Sequence, residues 1–216
     1  MALLEFARGP GLYWSTIIFV VGIVWRVTGV ILAKRGRDLS KPRQSGVFPG
    51  IRTVFSRAIP NQELHRKAWL SILNSYVMHV GLLVVIVLFV PHILFFKSII
   101  GVGWPGLASN VVMIFGAITL VSLFIAISHR MTNPVLSMIS SFDDYFSWSV
   151  TTLAVVTGMM AFAHFMEPYT TILAVHILSV ELLMIWFPFG KLMHAVLIIP
   201  SRIQLGSAMG RRGVKA

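Results

Sequence analysis

Apolar residues run in five long stretches along this chain of 216 residues, and most of the charged residues lie between the stretches. Each stretch has about the twenty residues that an α-helix needs to cross the hydrocarbon core of a bilayer. We therefore predict an all-α fold, an integral membrane five-helix bundle. The predicted membrane spans are approximately 13–33, 70–95, 107–128, 146–167 and 170–198.

The composition supports a membrane protein, since 56% of the residues are hydrophobic and only 12% are charged. A soluble domain carries about a quarter charged residues. The chain has no cysteine, which excludes disulfides, iron–sulfur clusters and covalently attached c-type haem within it. We expect a multi-pass protein of the cell inner (cytoplasmic) membrane, whose metal ligands would be His, Met or carboxylate side chains.

The net charge of +11 is unevenly distributed. Fourteen of the 18 Lys and Arg residues fall in 34–68, 129–145 and the tail 201–216, whereas the opposite side has only Arg8 and Lys97. The positive-inside rule then places the N-terminus outside and the C-terminus, as a basic tail, in the cytoplasm. Topology and attraction to anionic lipid explain this basic excess without nucleic acid as a partner.

The segment 34–68 is the one long connection, and it is broken by several Pro and Gly residues. The stretch Ile51–Ile59 predicts a short amphipathic helix on the membrane surface. Two interpretations stay open for this cytoplasmic loop: a docking platform for a soluble partner, and a linker that follows the lipid surface.

Histidines mark two depths in the predicted bundle. His176 and His194 are eighteen residues apart on the last span, five helical turns and ~27 Å, so both rings would leave one face of one helix. Matching depths on the second span give the pairs His79 with His194 (inner) and His92 with His176 (outer). Intramembrane histidines are costly and are functional by default. Two layers of paired imidazoles predict two stacked haem b groups.

The outer pair needs a bend in the second span. His92 follows His79 by thirteen residues, so a straight helix would turn its ring roughly 140° away from alignment. Pro91, directly before His92, predicts a kink that re-aims the ring. The alternative outer ligand is His164, near the outer end of the fourth span.

Charged residues near the spans extend the prediction. Arg26, Lys191 and Arg130 are candidate partners for the propionates of the inner haem. Glu181 is the one carboxylate deep in a span, and its role is left open between a proton path, a quinone site and a buried protonated acid. His164 is a second candidate for quinone or proton chemistry.

Several motifs resemble one known family. The segment from His176 to His194, with Phe-Pro-Phe followed by a cation three residues before the final histidine, resembles the last helix of the respiratory nitrate reductase gamma subunit family. Further similar motifs are Trp25-Arg26, His79-Val-Gly-Leu, and the stretch from Arg130 through Asn133-Pro134 to Asp144 and Gly158. The resemblance covers about residues 13–200, so residues 1–200 are expected to form a di-haem cytochrome b domain of this type.

The resemblance implies five helices, two bis-histidine haem b groups and quinol chemistry near the outer haem. It carries over His79, His176 and His194 as axial ligands. His92 departs from the pattern, because the family's second ligand on that helix comes earlier, where this chain has Phe89. The long cytoplasmic loop is similar to that of the membrane cytochromes of heterodisulfide-reductase-like and sulfur-metabolism redox complexes.

The expected function is electron transfer between a quinone or quinol pool and a cytoplasmic iron–sulfur subunit of a respiratory complex. A separate catalytic subunit would turn over the terminal substrate, since bis-histidine ligation leaves no axial position open on iron. The alternative is a proton- or ion-translocating membrane protein that uses intramembrane His and Glu relays.

Overall fold

The computed structural model describes residues 2–33, 41–58 and 62–214, with residues 62–67 described by their backbone alone. Regular secondary structure in these ranges is entirely helical. The helices are α1 (Ala2–Phe6), α2 (Leu12–Leu32), α3 (Val47–Ser56), α4 (Gln62–Leu88), α5 (Val90–Ile100), α6 (Ser109–Thr132), α7 (Pro134–Met138), α8 (Phe142–Phe162), α9 (Tyr169–Trp186) and α10 (His194–Arg211). A π-helical turn, Ala7–Gly11, joins α1 to α2.

Six helical runs within the described ranges are long and apolar enough to cross a membrane. They are Ala2–Leu32, Ala68–Leu88, Ser109–Thr132, Phe142–Phe162, Tyr169–Trp186 and Lys191–Arg211. The all-helical, multi-pass architecture is thus shown by length and composition. The number of crossings and the orientation of the termini stay predictions.

The last predicted span, 170–198, is not one helix, so the single-helix argument for His176 and His194 is wrong. Helix α9 ends at Trp186, and α10 begins only at His194. Pro188 has no N–H to continue the helical hydrogen bonds. Gly190 passes so close to Asp143 that a Cβ there would lie 2.9 Å from the carboxylate oxygen. The break therefore follows from proline and from close packing.

The second predicted span, 70–95, is also divided, at the place where a kink was expected. Helix α4 ends at Leu88, and Phe89 is extended with φ −80° and ψ 123°. Pro91 follows within the first turn of α5, where a missing N–H removes no helical hydrogen bond. The bend thus begins two residues before the proline and gives α5 a new direction.

Helices α2 and α9 run parallel to each other. The side chain of Glu181 lies against Gly11, and the ring of Phe187 packs on Phe19 with centroids 5.2 Å apart. Residue numbers therefore rise together along both helices. This is the arrangement expected of two odd-numbered crossings in an up-and-down bundle.

The other long helices pack in a row. Helix α4 packs on α6, α6 on α8, α8 on α9, and α9 on α2. Hydrogen bonds tie neighbours together, as between the Oγ of Ser122 and the side-chain oxygen of Asn74 at 2.7 Å. Small and polar residues commonly form such helix contacts in membranes.

Helices α3 and α10 form a separate packed pair. Two glycines four residues apart lie on each side of the contact, namely Gly46 (the N-cap of α3) and Gly50 against Gly206 and Gly210 on α10. A Cβ at Gly50 would lie 2.9 Å from the backbone oxygen of Ile203. Most of the predicted tail 201–216 is therefore helix packed on the described part of the loop 34–68.

Helix α3 also covers most of the amphipathic stretch that was predicted in the loop 34–68. Some predicted features lie outside the described residues, namely Lys34, Arg35, Arg37, Ile59 and Lys215, as do the side chains of Arg66 and Lys67.

Candidate functional site

Four histidines from different helices meet in two pairs. His79 on α4 faces His194, the first residue of α10, with ring centroids 6.0 Å apart and ring planes at 81°. His92 on α5 faces His176 on α9, with centroids 6.3 Å apart and planes at 21°. The structure therefore brings together the pairs that depth predicted, and it does so between α4 and α10 and between α5 and α9, which do not pack side by side.

The spacing of both pairs suits two imidazoles bound to one metal from opposite sides. Metal–imidazole bonds are about 2 Å long and each ring centre lies roughly 1 Å behind its nitrogen, so trans rings have centroids roughly 6 Å apart. Each ring can rotate about its metal–nitrogen bond, so both interplanar angles are compatible with this ligation.

Backbone carbonyls orient three of the four rings through Nδ1. The acceptors are the backbone oxygens of Ser75 for His79 (2.7 Å), Val85 for His92 (2.9 Å) and Lys191 for His194 (2.7 Å). A carbonyl accepts only from a protonated Nδ1, so the unprotonated nitrogen of each neutral ring is Nε2. Such second partners typically orient metal-binding histidines. These rings are thus set to offer Nε2 to a metal.

The fourth ring, that of His176, is held by a hydroxyl instead. Its Nδ1 lies 3.2 Å from the Oγ1 of Thr157, which in turn lies 2.8 Å from the Oγ of Ser179. A Cβ on Gly158 would lie 2.9 Å from a ring carbon of His176, so the ring needs a glycine there. The role of Thr157 was not predicted, because a threonine in an apolar helix gives no distinct sequence signal.

The donor set fits a haem better than an isolated metal ion. Within the described residues, no three or more His, Asp or Glu side chains come together to hold a metal. Zinc sites take three or four protein ligands, whereas haem needs only axial ligands because its porphyrin supplies the others. Two imidazoles per site therefore match haem b.

The structure separates His164 from the outer pair. This residue is exposed, has a positive φ of 50°, and its ring stacks on Tyr169 at 4.5 Å. Its Nδ1 lies 3.0 Å from the backbone oxygen of Phe162. The ring beside His176 is that of His92.

The cations predicted to face haem propionates lie around the connection between α9 and α10. Arg130 and Lys191 both form ion pairs with Asp144, Arg130 at 3.1 Å. Arg26 is exposed, and the neighbouring Trp25 packs near Phe189 with centroids 6.5 Å apart. Asp144 therefore already balances two of the three predicted cations.

Asp143 and Asp144 do more than begin α8. A capping box is present at Ser141, since the carboxylate of Asp144 accepts a 2.9 Å hydrogen bond from the backbone N–H of Ser141. Asp143 accepts hydrogen bonds from the backbone N–H of Lys191 at 3.1 Å and from Ser147 at 2.7 Å. The two aspartates thus fasten the connection that leads into His194, a role that the sequence analysis missed.

Glu181 lies on a different contact of α9. Its side chain is buried against the π-helical turn at Gly11, and its Oε1 has no hydrogen-bond partner. Helical turns of this kind are often found at functional sites. The burial of Glu181 and its unpaired oxygen agree with a buried protonated acid or a proton path.

A cavity of about 350 Å³ opens beside α5, the helix that carries His92. Its lining includes Ile93, Lys97 and Trp104, and the indole N–H of Trp104 donates to the backbone oxygen of Val87 at 2.7 Å. The cavity is open to its surroundings, and Lys97 is the one cation among its lining residues.

Comparison with known proteins adds one distant relative. A protein of Nitratidesulfovibrio vulgaris Hildenborough is 26% identical over 206 residues, covering 93% of this chain and 91% of that protein. Its name states no function. No family model and no solved structure matches the chain, so the resemblance to the nitrate reductase gamma subunit family stays a prediction from the motifs.

Proposed function

We propose that this protein is a membrane-anchored, di-haem cytochrome b subunit that transfers electrons between a quinone pool and a cytoplasmic iron–sulfur subunit. One observation carries the proposal: two histidine pairs, each with the spacing of trans imidazole ligands, and each ring fixed by a hydrogen bond at Nδ1. Four such rings are unlike the single histidines that hydrogen-bond between membrane helices.

In this proposal His79 and His194 hold the inner haem, and His92 and His176 hold the outer haem. Haem b supplies one-electron redox chemistry when bound, and the chain supplies ligation and burial. Lys191 has three ammonium protons and Asp144 takes one, so Lys191 retains donors for a propionate. Arg130 and Arg26 are the further partners proposed for propionates.

The proposed topology has five crossings of the cell inner membrane with the N-terminus outside. The fifth crossing consists of α9, the connection 187–193 and the start of α10. The parallel packing of α2 and α9 supports this assignment. The rest of α10 carries Arg202 and Arg211, is followed by Arg212, and packs on the basic loop, which supports a cytoplasmic position.

Quinone exchange is proposed at the outer layer. The cavity beside α5 adjoins the helix that carries His92, and Lys97 offers a hydrogen-bond donor to a quinone oxygen. His164 and Glu181, the earlier candidates for quinone or proton chemistry, line no part of this cavity. The iron–sulfur subunit and a catalytic subunit would dock on the cytoplasmic side, near the inner pair.

Spectroscopy of the purified protein tests the proposal. A reduced-minus-oxidised spectrum should show a b-type α band, and extraction of haem should give two haem b per chain. A quinol should reduce the haems in proteoliposomes. Absence of haem from protein expressed with ample haem supply would overturn the proposal.

Proton or ion translocation is the second candidate, and the buried Glu181 favours it. Here the histidines would relay protons instead of binding iron. Proteoliposomes with an internal pH dye should then show proton flux that Glu181→Gln abolishes and that needs no haem. Such proton flux from haem-free protein would support translocation and contradict the cytochrome proposal.

A further inference from the structure

Helix α3 exposes an apolar stripe on the side that faces away from α10. The buried residues Gly46, Gly50 and Thr53 face α10. At 100° per residue, four exposed apolar side chains share the other side: Val47, Phe48, Ile51 and Phe55, which are 52–73% exposed. Two phenylalanines and two branched side chains on one short helix form an apolar surface that water solvates poorly.

One arginine borders this stripe, and a second follows the end of the helix. Arg52 lies at its edge on α3, Arg57 follows the end of the helix, and both are exposed. Arg202 is directed inward instead, because its guanidinium donates to the backbone oxygen of Val54 at 3.1 Å. An apolar face with cations beside it is typical of helices that lie in the headgroup region of an anionic bilayer.

The position of α3 along the bundle agrees with that location. The Tyr76 hydroxyl donates a hydrogen bond to the backbone oxygen of Ala58, just after α3. Tyr76 is eight residues, about 12 Å, into the candidate span Ala68–Leu88. It is also three residues before His79, so the C-terminal end of α3 is fixed near the level of the inner histidine pair.

We infer that α3 is an interfacial helix whose stripe, defined as Val47, Phe48, Ile51 and Phe55, inserts into the cytoplasmic leaflet and whose arginines contact anionic lipid headgroups. The glycine packing on α10 holds the stripe outward. A soluble protein partner is the competing occupant. The depth of α3 favours lipid as the occupant. Because Tyr76 fixes the end of α3 within the length of a candidate span, the stripe would lie among lipid headgroups, where a soluble protein has less access.

The chain has no cysteine, so single-cysteine variants can report depth without further changes. Phe55→Cys and Ser56→Cys are a matched pair, since both positions are exposed and point about 100° apart on one helix. Each full-length variant carries a polarity-sensitive fluorophore and is reconstituted in vesicles of phosphatidylcholine with or without phosphatidylglycerol. Quenching is measured with aqueous iodide and with spin-labelled lipid.

The label at position 55 should emit at shorter wavelength than the label at 56 and be quenched by lipid, with iodide quenching reduced severalfold. Arg52→Gln combined with Arg57→Gln should lessen this protection in anionic vesicles, whereas Arg8→Gln should not. Equal iodide quenching at 55 and 56 would overturn the inference. So would a label that becomes protected only when cytoplasmic subunits are added, since that result identifies a protein as the occupant.

Discussion

The two histidine pairs are built differently, although both have the spacing of axial ligands. The outer rings are partly buried, and their planes are nearly parallel. The inner rings of His79 and His194 are exposed and nearly perpendicular. Helices packed side by side hold His176 in place, whereas His194 depends on a helix break that Asp143 and Asp144 fasten. Substitutions that change helix packing should therefore affect the outer pair, and substitutions that remove charges should affect the inner pair.

Removing one ligand from each pair should give the largest effect. We expect His176→Ala and His194→Ala each to lose one haem and retain the other, because no other described histidine ring pairs with the one left behind. Haem extraction against protein mass measures the stoichiometry. The matched control is His164→Ala, which should retain two haems. Two haems in either ligand variant would contradict the pairing.

Much of this arrangement could be predicted from the sequence, because hydrophobic length and histidine depth are local properties. These two properties were sufficient to predict the pairs His79 with His194 and His92 with His176. The break before His194 was missed although Pro188 and Gly190 signal it. A proline can kink or end a helix, and here contacts with Asp143, nearly fifty residues away, accompany the second outcome.

Long-range packing was even harder to predict from the sequence. The glycine pairs at Gly46 and Gly50 and at Gly206 and Gly210 have the four-residue spacing of close helix contacts. The spacing identifies a helix face but not its partner, which lies about 160 residues away in the chain. For the same reason, nothing in the sequence around Asp143 and Asp144 indicated that these carboxylates fasten the connection into α10.

Asp144→Asn should weaken the inner site selectively. Its buried carboxylate pairs with Arg130 and Lys191, and loss of one charged partner in such a cluster costs about 1–3 kcal/mol. We expect a lower melting temperature and earlier loss of the inner haem on heating, followed by absorbance. Glu5→Gln, at an exposed carboxylate, is the control. Equal loss of both haems would show that Asp144 does not act on the inner pair.

Gly158→Ala should weaken the outer site alone. Alanine normally stabilises a helix by about 0.5–1 kcal/mol relative to glycine, but here its Cβ would lie 2.9 Å from the ring of His176. The ring must shift, so we expect reduced occupancy of the outer haem. The control is Gly29→Ala, because a Cβ at Gly29 would have no neighbouring atom within 4 Å. Its haem content should be unchanged. Similar results for the two variants would contradict the packing role of Gly158.

Thr157→Val should give the smallest effect, a change in redox potential without loss of haem. The variant keeps the shape of the side chain and removes the oxygen that lies 3.2 Å from Nδ1 of His176. A hydrogen bond at Nδ1 makes the imidazole more basic and favours oxidised iron. Its loss should raise the midpoint potential of the outer haem by roughly 20–40 mV, measured by redox titration. A shift in the inner haem instead would reverse the assignment of the two layers, because Thr157 contacts the ring of His176 and neither ring of the inner pair.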